Sequence, residues 1–120
     1  MPYEFYKLMH FFGIFMMLGA LGGNVVHYGN GGDKEAHGMR RLVAMAHGIG
    51  LLLVLVGGFG MTAKLGLGFP GWVGVKLLLW LVLGAALALP MRMANTAKVQ
   101  LFVFPAIALL AAYLAIYKPF

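Results

Sequence analysis

The chain has no cysteine, and among its 120 residues only Glu4, Asp33 and Glu35 are acidic. The first absence excludes disulfides, zinc–thiolate sites, iron–sulfur clusters and thiol catalysis. Charge of either sign is scarce: 10% of residues, against about 25% in an ordinary soluble domain. With 62% apolar residues and a mean hydropathy of +0.92, the chain is neither a soluble globular domain nor a disordered one. The net charge of +6 comes from 9 basic residues set against 3 acidic ones. A small membrane protein reaches that balance by keeping its loops basic, so the excess does not indicate a nucleic-acid partner. Glycine, in contrast, is abundant at 18 residues. In membrane helices small residues let backbones approach closely, or leave room for a flat ligand lying against a helix.

Apolar runs at about 4–27, 40–63, 72–91 and 99–117 each approach the ~20 residues that cross a bilayer core. Backbone polar groups find no water there, so each run is expected to be a helix. The links between them are short, which predicts an all-α, integral membrane, up-down-up-down four-helix bundle forming a single domain. The opening MPYEFYKL carries Glu4 where a cleavable signal would be basic, so none is expected. Lys7, Lys64, Lys76 and Lys118 fall toward the terminal side; Lys34, Arg40, Arg41, Arg92 and Lys98 fall toward the other. The positive-inside rule then favours both termini outside the cytoplasm, because every arginine lies on the opposite side. Trp72, Tyr3, Tyr6, Tyr113 and Tyr117 fall near span ends and suit interface anchors.

Ionisable residues inside spans are costly and mark function. On the first helix Tyr6, His10, Gly13, Met17, Ala20 or Leu21, and Asn24 share one stripe, while Phe11, Phe12, Phe15 and Leu18 form its lipid-facing complement. His10 therefore points inward, either to fix packing through a hydrogen bond or to ligate a metal or haem. His47 repeats the pattern on the second helix, with Gly50 three residues later as Gly13 follows His10. Glycine one turn from a histidine suits a porphyrin edge or a close helix crossing. Along antiparallel helices the two imidazoles are on the order of 14 Å apart in depth. They are thus expected to serve separate sites, giving one or two haems per chain, rather than to clamp one iron. Lys76 matches the depth of His10, which predicts a cluster of His10, Lys76, Tyr6 and Trp80. Lys76 either snorkels to the head groups or pairs with an anion such as a haem propionate. Arg40, Arg41, Met45 and Met91 are the partners available to His47. His27, His37, Asp33 and Glu35 read as a solvated loop. Met9, Met16, Met17 and Met45 lie beside the histidines and suit soft Cu(I).

Three features occur together: the inward His10, Arg40-Arg41-Leu42 opening the second helix, and Gly71-Trp72 followed by Lys76 entering the third. Over roughly residues 3–92 the chain resembles the superfamily that includes the HemJ-type protoporphyrinogen oxidases and the SirB and CopD membrane proteins. The resemblance implies bound haem b, with His10 an axial ligand and Lys76 a propionate or substrate partner. The chain departs from the oxidase pattern in its shorter length, and in carrying His47-Gly48 where a Pro-Gly is expected.

The expected function is a haem-b-binding protein of the bacterial inner membrane, engaged in electron transfer or haem-linked redox chemistry near the quinone pool. Its expected site is His10, His47, Lys76, Gly13, Gly50, Arg40, Arg41 and Tyr6. The alternatives are protoporphyrinogen IX oxidation, copper handling, and a cofactor-free subunit of a respiratory complex. A homodimer is expected through the small residues Gly13, Ala20, Gly50 and Gly57.

Overall fold

Helix α1 (Tyr3–Gly29) begins where Pro2, in extended conformation, ends the preceding chain. The computed structural model describes residues 2–117, so Lys118 of the terminal-side charge set lies outside the described residues. Helix α2 (Arg40–Leu65) stops at Gly66, whose φ of 67° is left-handed. The Gly66 N–H donates to the Ala63 carbonyl and the Leu67 N–H to that of Thr62, at 3.2 and 3.0 Å. That is a Schellman end, and glycine takes the left-handed position without a Cβ penalty. Pro70 then opens α3 (Gly71–Ala85).

The third span is not one continuous α-helix. It tightens to a 3-10 turn over Ala86–Ala88 before the short α4 (Leu89–Arg92). Pro90 explains the change: it has no N–H to donate and crowds the carbonyl four residues back. A second 3-10 turn, Ala94–Thr96, leads into α5 (Ala97–Tyr117), so only Met93 separates the last two spans.

The four spans Tyr3–Gly29, Arg40–Leu65, Gly71–Arg92 and Ala94–Tyr117 are each long and apolar enough to cross a membrane. The chain is thus an all-α, four-span protein built for the bilayer. Helix α1 is its axis: 39% of its apolar window is buried, against 17% for α2.

Helices α1 and α2 pack backbone to backbone through glycine. A Cβ added to Gly13 would lie 2.6 Å from the Gly50 carbonyl oxygen, and one on Gly50 would lie 2.7 Å from that of Gly13. One on Gly57 would lie 2.7 Å from the Tyr6 carbonyl oxygen and 2.8 Å from the His10 nitrogen. Met17 thus faces Gly50 while His10 faces Gly57, which makes the two helices antiparallel. Ala20 is buried as well. The residues expected to form a dimer contact are therefore enclosed within one chain, because only glycine allows α1 and α2 this approach.

The other side of α1 supplies Met17, Leu21 and Val25 to a core completed by Leu83, Ala86, Ala97 and Phe104. The expected inward stripe is buried from His10 to Asn24, with Tyr6 half-buried. Phe12 and Phe15 are exposed as expected, whereas Leu18 packs against this core instead of facing lipid.

Candidate functional site

His10 is buried on α1, and its Nδ1–H donates to the Val54 carbonyl oxygen of α2 at 2.8 Å. A carbonyl oxygen can only accept, so the ring proton sits on Nδ1. Nε2 is left with its lone pair, the arrangement that prepares an imidazole for a metal. The glycine beside this ring is Gly58, where an added Cβ would lie 3.5 Å from His10 Cε1. Gly13, which from sequence suited either a macrocycle edge or a helix crossing, lies in the α1–α2 crossing and not in the expected cofactor site.

Two cavities meet at His10. The larger, about 440 Å³, is bounded by all of the four spans, including Met17 of α1, Met61 of α2, Leu79 of α3 and Ala112 of α5. The smaller, about 80 Å³, lies between α2 and α3 against Phe59, Thr62, Trp72 and Leu77. His10, Val54, Lys76 and Trp80 border both and form the partition between them. Trp80 is fixed there by its indole N–H, which donates to the Leu51 carbonyl oxygen at 2.9 Å.

The structure thus brings together His10, Lys76 and Trp80 of the expected cluster. Tyr6 instead packs its ring over Gly60, whose missing side chain makes the room. The 440 Å³ chamber falls within the ~300–1,000 Å³ range of ligand sites. Its wall on α5 is built mostly from small side chains, Ala108, Ala111, Ala112 and Ala115, with Ile116.

His47 has another use. It is buried, its Nε2–H donates to the Leu83 carbonyl oxygen at 3.0 Å, and it borders neither cavity. With the Trp80–Leu51 bond running the opposite way, it ties α2 to α3. By the α1–α2 pairing, His47 lies level with Ala20, about 15 Å along the axis from His10. Gly50 belongs to the helix crossing, and Arg40 and Arg41 are exposed at the start of α2. None of these three borders the chamber.

The α1–α2 loop is mostly exposed, as expected of a solvated loop, and carries its own ring and hydrogen-bond contacts. The His27 and His37 rings stack with centroids 4.3 Å apart. His27 Nε2–H donates to the Asp33 carbonyl oxygen and His37 Nε2–H to Asn24 Oδ1, each at 2.8 Å. Asn24 Nδ2 in turn donates to the Leu87 carbonyl oxygen at 3.1 Å. In the 3-10 register the donor to Leu87 would be Pro90, which has none, so Asn24 meets an acceptor that the break in the third span sets free. Partial burial, and then the neighbouring His27 ring, lower the His37 pKa from its ordinary value. Among the described residues no three His, Asp or Glu side chains gather as a metal site.

Sequence reasoning missed Gly58 and the Asn24 relay. The spacing from His47 to Gly58 carries no signal, because Gly58 serves the histidine of the other helix. The class defined by this fold and site is a four-span membrane protein with an intramembrane chamber, lined by a histidine and two lysines. Comparison with protein-family models, curated proteins and solved structures finds no match to the chain.

Proposed function

We propose that the chamber holds one haem b and that the protein transfers electrons in the bacterial inner membrane, exchanging them with the quinone pool. The observation that carries this reading is the His10 imidazole, whose Nδ1–H is bonded to Val54 so that Nε2 keeps its lone pair, in a residue that borders a chamber large enough for a ligand. The residues fit the group. Ile14, Met17 and Leu79 offer apolar walls, the alanines of α5 admit a flat face, and Lys76 supplies a cation for a propionate. A bound haem would supply one-electron redox chemistry. The chain's own part is to hold His10 in one tautomer, to exclude water with apolar walls, and to offset anionic charge with Lys76.

One haem per chain follows from this reading, since His47 borders no chamber. The resemblance to the HemJ, SirB and CopD superfamily supports the same His10 and Lys76 roles. A second reading, copper(I) handling, draws support from Met17 and Met61, which border the chamber with His10 and are soft ligands. The visible spectrum of the purified protein tests both. Haem gives a Soret band with α and β bands on reduction. A colourless protein that takes up Cu(I) would replace haem with copper.

A further inference from the structure

We propose that Lys7 is a second anion anchor of the chamber, so that the site is selective for a planar tetrapyrrole bearing two carboxylates. This deepens the haem reading and rests on it. Lys7 lies one turn before His10 on α1, about 4.5 Å closer to the membrane face. It borders the same 440 Å³ chamber as Lys76, but from another helix, so two lysines from α1 and α3 border one chamber.

Lys7 is also positioned. Its Nζ lies 5.9 Å from the centroids of both the Tyr3 and Phe11 rings, and both rings border the chamber themselves. Two aromatic rings, one turn before and one turn after it on the same helix, thus hold the ammonium beside residues that border the chamber. Deeper in, the walls are apolar side chains such as Ile14, Leu79 and Ala108. A ligand with one apolar body and two acids on one edge matches that division.

The test uses the full-length protein, purified in detergent from haem-deficient cells. It is titrated with haem b, iron-free protoporphyrin IX and the dimethyl ester of each. The wild type should prefer each diacid to its diester. Lys7→Met should lower that preference about fivefold, as removal of one partly exposed charge pair of ~1 kcal/mol does. Lys7→Arg should restore it. Lys64→Met removes a terminal-side lysine that borders neither cavity, and should leave the preference unchanged.

The iron-free pair reads the carboxylates without help from His10 ligation. An unchanged diacid preference in Lys7→Met, beside a His10-dependent Soret band, overturns the Lys7 anchor alone. So does an equal loss in Lys64→Met, because the effect would then come from the general surface charge. Failure of the wild type to bind any of the four compounds overturns the anchor together with the haem reading.

Discussion

Replacing Gly57 by alanine should unlock the α1–α2 crossing and with it the His10 site. The new Cβ would lie 2.7 Å from the Tyr6 carbonyl oxygen, 2.8 Å from the His10 nitrogen and 2.9 Å from His10 Cα. All three are backbone atoms, so no rotamer change relieves the contact. To reach an ordinary separation of ~3.5 Å or more, α1 must retreat by about 0.6–0.8 Å. A gap of that size forfeits roughly a quarter to a half of the dispersion energy of each contact across the crossing. Overpacking of this kind costs ~1–3 kcal/mol. The same retreat stretches the 2.8 Å His10–Val54 bond beyond the ~3.2 Å limit of a good N–H···O bond. Two neighbouring changes serve as controls. At Gly58 the added Cβ makes ordinary contacts of 3.5 and 3.6 Å with the His10 ring, and at Gly22 it meets nothing within 4 Å. Both should hold or raise stability, since alanine is favoured over glycine in a helix by up to ~1 kcal/mol. Thermal unfolding followed by circular dichroism, in one detergent for all variants, reads the order. Gly57→Ala should melt several degrees below wild type, and the other two at or above it. A Gly57→Ala protein as stable as wild type would refute the close crossing.

Further outcomes follow from the polar contacts. The His37 pKa is lowered in the folded loop, so the neutral ring is the favoured form there. The loop's contribution should be full above about pH 6.5 and be lost as pH falls from there through the lower folded value. Amide hydrogen exchange of residues 30–39 measured from pH 7.5 to 5 should show that loss, and Asn24→Leu should show it at every pH. His47→Phe should remove one of the two α2–α3 ties, lower stability by ~0.5–1.5 kcal/mol and leave the visible spectrum unchanged. A halved haem content in that variant would place a second haem at His47. Lys76→Met should weaken haem binding and lower the reduction potential, because a nearby cation favours reduced haem. Redox titration against wild type checks this, and an unchanged midpoint with unchanged haem retention would remove Lys76 from the site.

Much of the fold is legible from hydropathy and spacing. The lack of charge between Lys7 and the loop after His27, and the 3.6-residue recurrence of His10, Gly13, Met17 and Asn24, set both the span and its inward face. The same periodicity could not choose between a glycine that admits a ligand and one that admits a helix. That choice depends on where α2 lies, and the 2.6 Å approach to Gly13 decides for the helix. Depth arithmetic placed His10 and Lys76 at one level, and they do border one chamber. It could not show that His47 ends on the Leu83 carbonyl, since helix rotation and not depth determines whether a ring meets a cavity or a neighbour. The break near Pro90 was readable in principle, because proline deep in a helix frees carbonyls. Its partner Asn24 lies two spans away, and no local pattern links the two.

The central claim is that His10 Nε2 is the ligand that holds haem in this chamber. The most direct measurement is the haem-to-protein ratio of wild type and His10→Ala, purified from the same membranes, with circular dichroism confirming equal helicity. The account predicts that the folded, membrane-inserted His10→Ala protein loses most of its haem. A His10→Ala protein with full haem occupancy would contradict it.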